Sequence, residues 1–285
     1  MFIKQESRLG SSITAMSKML NVSRGGYYKW LKKKPSLRSQ QESELLQIIR
    51  DIYVKGRYLF GSPKIGKELR KLNLNVNHKR VARIMKKYGI TAIYRSKFKP
   101  MTTDSNHRYP ISANLLKQDF KATEPNQVWV SDVTYIKTRK GWLYLCVVID
   151  LFSRKVVGWS MSQKQDTKLI VKAFQMAYGD RKPKPWQLIF HSDRGSQYAS
   201  HAFRAVLKRC RVISSMSRTG NCYDNACAES WFGLMKREML YLFDDDDFAL
   251  IRTAVFEYIE VFYNRQRPHG TINDMTPEEY ELKVA

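Results

Sequence analysis

The sequence predicts an α/β domain with a mixed sheet, preceded by an all-helical region. Three observations support this division. Residues from about 10 to 90 place apolar side chains at helical spacing. Residues 127–160 contain three apolar runs separated by turn sequences, and beyond 165 helical and strand-like segments alternate. With 285 residues, 43% of them hydrophobic, the chain is long enough for a core domain and one or two small ones.

The order of elements in the second part narrows the fold. The expected strands are 127–138, 142–150, 155–160, 187–191 and 212–216, and the expected helices are 167–178, 200–210 and one around Glu229. Three antiparallel strands followed by helix, strand, helix, strand and helix form the ribonuclease-H-like order. This order predicts a mixed five-stranded sheet with flanking helices, in which the first and fourth strands meet centrally.

Residues 1–36 read as an N-terminal helix-turn-helix. Ser12 and Ser23 stand where they could cap its two helices. The second helix carries Arg24 and Tyr28, and we expect it to enter a DNA major groove. The alternative is a basic helical hairpin that contacts only protein.

The sequence pattern over residues 37–92 predicts a second helical DNA-binding region. Ser62 and Pro63 indicate a helix start. Asn77 is expected to cap a helix that turns Val81, Ile84, Met85 and Tyr88 inward and Lys79, Arg80 and Arg83 outward. No acidic partner is expected on that basic face, which favours DNA contact over a solvated surface. A polar linker over 93–124, a catalytic core over 125–240 and a C-terminal helical extension over 241–285 complete the expected domains.

The net charge of +24 is concentrated at the front of the chain. Residues 1–120 hold 26 Lys and Arg against 7 Asp and Glu. This asymmetry predicts a polyanion-binding region joined to a more balanced domain, and double-stranded DNA is the partner it favours. No apolar run has transmembrane length, no signal peptide is recognisable, and four irregularly spaced cysteines suit a reducing compartment. We therefore expect a cytoplasmic protein that is associated with the DNA of the cell.

Three carboxylates carry the expected chemistry. Asp132 lies within an apolar strand, Asp193 ends another, and Glu229 lies on a helix. Carboxylate oxygens are the ligands that Mg²⁺ or Mn²⁺ prefers, and two such ions can serve an in-line displacement at phosphorus. Asp193 could instead form a turn and Glu229 an exposed helix surface, but a mid-strand charge at Asp132 is costly unless it is paired or metal-bound. Asp150 is a competing carboxylate whose hairpin position favours a turn or supporting role.

The sequences around these carboxylates resemble a known family. The segments 131–135, 191–198, 225–230, 263–269 and 276–280 closely resemble bacterial insertion-sequence transposases of the integrase-like DDE group, whose second reading frame encodes a retroviral-integrase catalytic core. The resemblance implies that Asp132, Asp193 and Glu229 are both catalytic residues and ligands of two metal ions. It also implies that Lys236, on the same helix face as Glu229, contacts the DNA end.

The same resemblance implies partners and leaves rival functions open. It implies binding to terminal inverted repeats and target DNA, a homo-oligomer on DNA, and a possible fusion with an upstream reading-frame product. The chain lacks the N-terminal His-His-Cys-Cys zinc module of retroviral integrases. The alternatives are a ribonuclease-H-like nuclease without strand transfer and a non-catalytic DNA-binding regulator derived from a transposase.

Overall fold

The computed structural model describes residues 2–32, 34–93, 109–218, 225–240 and 247–284. The helical region contains α1 (Phe2–Arg8), α2 (Ile13–Met19), α3 (Arg24–Leu31), α4 (Leu37–Lys55), α5 (Ser62–Lys71) and α6 (His78–Lys87). The rest contains β1 (Val128–Thr138), β2 (Gly141–Asp150), β3 (Val156–Ser162), α7 (Thr167–Arg181), β4 (Ile189–Ser192), α8 (Ser196–Ala199), α9 (His201–Arg209), β5 (Ile213–Met216), α10 (Ala226–Glu238), α11 (Phe248–Phe256) and α12 (Pro277–Val284). A π-helical stretch, Glu257–Tyr263, continues α11, and a 3₁₀ turn spans Gly270–Ile272.

The five strands form one mixed sheet in the order β3-β2-β1-β4-β5. β1, β2 and β3 are antiparallel neighbours, whereas β4 pairs parallel with β1 and β5 parallel with β4. The β-branched and aromatic residues at the start of β1 suit a central strand that is covered on both faces. The sheet confirms the predicted fold class, including the central adjacency of the first and fourth strands.

Helices cover both faces of the sheet. One face packs against α7 and α9 through a cluster that includes Trp129, Phe174 and Phe203. Gly158 on β3 permits the close approach of α7, because a Cβ atom there would lie 2.3 Å from the carbonyl oxygen of Ala173. The other face packs against α10 and α11, and this apolar cluster continues into α4, α5 and α6. The second helical region is therefore joined to the core by a shared apolar interior.

The N-terminal helices differ from expectation in four respects. Ser23 and Asn77 accept hydrogen bonds from backbone amides at the starts of α3 and α6, as predicted, whereas Ser12 stands at the N-cap of α2 without a side-chain hydrogen bond. The N-cap of α5 is Gly61 rather than Ser62, so Ser62 is the first helical residue. Helix α1 was not expected, and Tyr88 is 39% exposed instead of facing inward. Among the described helices, none has both the length and the apolar character needed to cross a bilayer.

The expected linker is only partly a spacer. Residues 94–108, the first part, lie outside the described residues. Residues 109–124 are irregular, yet they pack against the core: the Ser112 hydroxyl donates to the Ser214 hydroxyl at 2.9 Å, and the Leu115 amide donates to Ser215 Oγ at 2.9 Å. Leu116 is buried. This segment therefore covers the outer edge of β5, which would otherwise expose unpaired backbone groups.

A buried ion pair ties the end of α10 to the C-terminal extension. The Arg267 guanidinium donates to both carboxylate oxygens of Glu238, at 2.7 and 2.9 Å, and Tyr258 donates to the same carboxylate at 2.9 Å. Lys64 of α5 approaches Glu238 to 3.9 Å, and burial together with Arg267 lowers the pKa of Lys64 to about 8. Arg267 therefore anchors the fold here, because its guanidinium is committed to a buried carboxylate.

Candidate active site

The parallel pairing of β1 with β4 places two of the three predicted carboxylates side by side. Ser131 is registered with Ser192, so Asp132 and Asp193 follow at neighbouring positions where β4 ends. Both are half-buried. The sequence predicts a strand position for each residue, but only the register between strands brings them together.

Helix α10 brings the third carboxylate to the same place. The helix packs on β1 through Ala228, Trp231, Phe232 and Met235, and Glu229 lies exposed in its first turn. Directly before the helix, the Asn225 side-chain amide donates to the carbonyl oxygen of Ser131 at 3.4 Å. This contact fixes the start of α10 beside the residue that precedes Asp132.

The three carboxylates are electrostatically coupled. The pKa of Asp132 is raised well above its ordinary value, first by burial, then by the charge of Asp193 and, more weakly, by that of Glu229. The Val133 amide opposes this rise by donating to Asp132 Oδ1 at 2.8 Å. The negative charge around Asp132 is therefore only partly compensated by hydrogen bonds.

The turn after Asp193 shapes the mouth of the site. The Gly195 amide donates to Asp193 Oδ1 at 3.0 Å. A Cβ atom on Gly195 would lie 3.1 Å from that same oxygen and 3.1 Å from Gln197 Oε1. Glycine therefore leaves room for the carboxylate next to the turn. Arg194 Nε donates to the Ser217 carbonyl at 2.6 Å, which ties the turn to the end of β5.

A buried polar layer supports β1 and β4 from behind. Ser131 and Tyr198 share a hydrogen bond of 2.7 Å between their hydroxyls, and Cys146 lies 3.6 Å from Ser131 Oγ. His191 Nδ1 shares a hydrogen bond of 2.8 Å with Ser215 Oγ, so it is a satisfied core histidine. Sequence reasoning missed the contribution of Tyr198. Its place in the segment 191–198 was the available signal, but its partner Ser131 is 67 positions away.

Lys236 supplies positive charge at this edge. Its ammonium lies 5.1 Å from the centre of the Tyr135 ring, a cation–π contact. Burial lowers the pKa of Lys236, while the neighbouring carboxylate of Asp132 raises it. The predicted shared face of Glu229 and Lys236 thus directs both toward Asp132. Contact of Lys236 with DNA stays a prediction.

The donor set fits a hard divalent cation. Carboxylate oxygens with little compensating positive charge are what Mg²⁺ or Mn²⁺ binds. As the side chains stand in the described parts of the chain, no three His, Cys, Asp or Glu residues are grouped closely enough to hold a metal ion. The coupling of Asp132 with Asp193 and Glu229 is therefore the feature that supports a metal site, and ligation by the three residues stays a prediction.

Comparison with known proteins gives the family. An integrase core domain matches residues 122–222 and, in a second form, 211–277, and an HTH-like domain matches 40–98. Transposase InsF for insertion sequence IS3A of Escherichia coli (strain K12) is 41% identical over 274 residues, covering 95% of this chain and 94% of the relative. This chain belongs to the insertion-sequence transposase family.

Two further similarities, one to a protein sequence and one to a solved structure, differ in how far they support the assignment. An uncharacterized 31 kDa protein of insertion element IS600 from Shigella sonnei is 40% identical to this transposase over 94% of the chain and 98% of the relative. The solved catalytic core of HTLV-2 integrase in complex with magnesium is 21% identical, covers 56% of the chain and 99% of that structure, and has a TM-score of 0.44. The second likeness is too weak to carry a conclusion, and the transposase assignment rests on the sequence relatives.

The basic face of α6 is less uniform than the sequence suggests. Lys79, Arg80 and Arg83 are exposed and, together with Arg38 of α4, line a depression of about 710 Å³. However, Glu42 of α4 lies 3.7 Å from Arg83 and also pairs with Lys87. The expectation that this face lacks acidic partners is wrong for Arg83, because a tertiary neighbour supplies one.

The other predicted DNA-contacting residues lie on α3 of the transposase. Arg24 is exposed and donates to Thr14 Oγ1 at 3.4 Å, a weak contact with α2. Tyr28 is 42% exposed, and its ring meets that of Tyr27 edge-on. Both side chains are accessible for DNA. Their contact with a major groove stays a prediction, as do the proposed domain boundaries.

Proposed function

We propose that this transposase binds the terminal inverted repeats of an insertion sequence and catalyses DNA strand cleavage and strand transfer with Asp132, Asp193 and Glu229. The observation that carries the proposal is the electrostatic coupling of these three carboxylates where β1, β4 and α10 meet. Neither a DNA-binding regulator nor a structural protein needs three mutually repelling carboxylates at one place.

The three carboxylates would hold two Mg²⁺ or Mn²⁺ ions. When bound, such ions lower the pKa of a water or a DNA 3′-hydroxyl and stabilise charge on the phosphorus oxygens. Asp132 suits a shared position because it lies on a rigid central strand and feels the charge of both other carboxylates. The magnesium named for the HTLV-2 integrase core belongs to that protein, and for this chain the metal is part of the proposal.

The chain's own residues would position DNA rather than attack it. The nearest buried nucleophilic groups, Tyr198 and Cys146, are poorly suited to a covalent intermediate. Burial raises the pKa of Tyr198 well above its usual value and that of Cys146 to about 12. Lys236 would contact a phosphate of the cleaved end, since its ammonium lies close to Asp132. The hydrolytic and transfer steps then share one set of carboxylates.

DNA recognition would come from the helical regions. Helix α3 with Arg24 and Tyr28, and α6 with Lys79, Arg80 and Arg83, present exposed cations and an aromatic ring. Holding two element ends together would require a homo-oligomer on DNA, and fusion with an upstream reading-frame product would complete the working enzyme. Both belong to the proposal.

A cleavage and strand-transfer assay on labelled repeat ends tests the function. Asp193→Asn should retain repeat binding and lose both activities by on the order of a thousandfold or more, because catalytic groups that act as a unit fail together. Asp180→Asn, an exposed position on α7, is the matched control and should be fully active. Wild-type cleavage without joining would favour a nuclease, and binding without any metal-dependent cleavage would favour a regulator. Full activity of Asp193→Asn would exclude the proposed site.

A further inference from the structure

A second basic surface lies at the junction of β3 and α7. A depression of about 350 Å³ is lined there by Lys164, Lys168, Lys172 and Arg252, which we call the β3–α7 basic cluster. All four cations are exposed. The one carboxylate in the lining, Asp166, is already engaged as the helix cap, accepting from the Leu169 amide at 3.0 Å.

The charges of Lys168 and Lys172 are locally unfavourable for α7. Lys168 and Lys172 stand four residues apart on α7, where like charges repel by roughly 0.2–0.5 kcal/mol. Lys168 also lies in the first turn of the helix, where positive charge opposes the helix dipole. Within the described ranges, no carboxylate forms an ion pair with any of the four cations. An external polyanion is the partner that such an uncompensated cluster fits.

The cluster lies toward the same strand ends of the sheet as the three carboxylates. β1 and β3 are both antiparallel to β2, so their ends point the same way. Two strand spacings, roughly 10 Å, separate the two strands laterally. The last residue of β3 is registered, through β2, with Tyr135, three residues beyond Asp132 on β1. Both separations are short compared with the length of a DNA duplex. The surface between them is continuous: Gln197 beside Asp193 donates to the Gln165 carbonyl at 3.4 Å, and Thr167 donates to Ser200 Oγ at 3.3 Å.

The two duplexes of a strand-transfer reaction need separate paths to one catalytic centre. Helix α10, which carries Lys236, packs on one face of the sheet, and the predicted repeat-binding helix α6 belongs to the same apolar cluster. The β3–α7 basic cluster lies at the edge formed by β3, where its lysines belong to the loop and helix of the opposite face and Arg252 belongs to α11. A duplex that passes over these lysines therefore reaches the carboxylates by a path that starts from the face opposite α10.

We propose that the β3–α7 basic cluster binds the phosphate backbone of the target DNA duplex and positions it for attack. The inference rests on the proposed function and adds the site of its second substrate. Because the contacts are made to phosphates, binding there depends on salt and is indifferent to target sequence.

The test compares two triple variants of the full chain. Lys164→Gln, Lys168→Gln and Lys172→Gln together remove the cluster's lysines. Lys184→Gln, Lys208→Gln and Arg209→Gln remove the same charge from exposed positions beyond the other end of α7 and at the end of α9. Two reactions are measured: cleavage of labelled repeat ends without target, and joining of pre-cleaved ends to a plasmid at graded plasmid and salt concentrations.

We expect the cluster variant to cleave repeat ends as well as wild type. Joining should fall about 10- to 100-fold near physiological salt and recover at high plasmid concentration. The slope of log target affinity against log salt concentration should decrease in magnitude by about 2 to 3. A variant with arginine in place of the same three lysines should join as well as wild type. Unchanged joining, equal loss in the control variant, or a parallel loss of cleavage, which would place the repeat end in the cluster, would each overturn the inference. A wild-type protein that neither cleaves nor joins would instead overturn the proposed function, and this inference with it.

Discussion

The two ends of the central sheet hold buried carboxylates in opposite electrostatic settings. At one end, Asp150 accepts hydrogen bonds from the backbone amides of Asn126 and Phe152, at 2.8 and 3.0 Å, and from Arg181 at 3.4 Å. At the other end, Asp132 accepts from the adjacent Val133 amide and faces two further carboxylates. Burial raises the pKa of both aspartates. Burial alone therefore does not distinguish the two aspartates, whereas the balance of charge around each of them does.

The neutralised end has a structural role. Arg181 of α7 donates to both oxygens of Glu281 on α12, at 2.6 and 2.9 Å, and Ser153 donates to Glu281 at 2.7 Å. Cations and amides match the acids, so this end needs no ligand. At the end that bears the three proposed catalytic residues, called the catalytic end below, the same sheet collects three acids and, nearby, the partly buried Lys236. The excess negative charge there is what a divalent cation would offset.

The largest expected effect comes from breaking the neutralised end. Arg181→Met should lower the free energy of unfolding by about 3 kcal/mol, because it leaves Asp150 buried without a cation and leaves the partly buried Glu281 with Lys155 alone. Urea unfolding measures the loss, with Arg209→Met, an exposed change, as the control within about 0.5 kcal/mol. Strand transfer per folded molecule should be unchanged. A loss of stability no larger than that of the control would show that the amides alone suffice.

A divalent ion should stabilise the catalytic end. Mg²⁺ at about one hundred times its Kd should add about 2.7 kcal/mol to the free energy of unfolding of wild type, if the unfolded chain does not bind it. Asp132→Asn and Glu229→Gln should lose most of this gain, whereas Asp150→Asn should keep it. Thermal unfolding with graded MgCl₂ against matched NaCl separates binding from screening. Equal gains in all four proteins would place the ion elsewhere.

Without divalent ions, the two aspartates should respond to neutralisation with opposite signs. Asp132→Asn should stabilise the protein by about 1 kcal/mol, since it removes a desolvated charge among like charges. Asp150→Asn should destabilise it by about 1–2 kcal/mol, because one acceptor becomes a donor that faces an amide and a guanidinium. Urea unfolding in EDTA gives both values. A destabilising Asp132→Asn would mean that Asp132 is better compensated than the structure indicates.

The sequence predicts the strands and the helix that carry the three carboxylates better than it predicts how these elements are arranged in space. Apolar alternation and turn residues identify β1, β2 and β3, and a charge within an apolar strand singles out Asp132. The seven-residue spacing on one helix predicts that Lys236 and Glu229 share a face, and both residues act electrostatically on Asp132. The contact between Asp132 and Asp193, however, depends on strand register across 61 positions, which no local pattern encodes.

Partners from distant segments explain the remaining misses. The role of Arg267 could not be assigned from local sequence, because Glu238, its buried partner, lies 29 positions away. Residues 109–124 read as linker because their polar groups find partners on β5 only in the folded chain. Glu42 lies on a different helix from Arg83, so the charge of α6 is misjudged from its own sequence. Tertiary pairing of charges is the common cause.

The distinction between paired and unpaired charge also applies to α6 and gives the smallest effect. Lys79→Gln should weaken binding to repeat DNA and lower the slope of log affinity against log salt by about 0.9, the value for one phosphate contact. Arg83→Gln should change the slope less, because Glu42 already neutralises part of its charge. Glu42→Gln should strengthen binding by freeing both Arg83 and Lys87. Fluorescence anisotropy over a salt series measures all three, with Lys184→Gln as the control. Equal slopes for Lys79→Gln and Arg83→Gln would show that DNA displaces Glu42 on binding, and an unchanged slope for both would remove α6 from the interface.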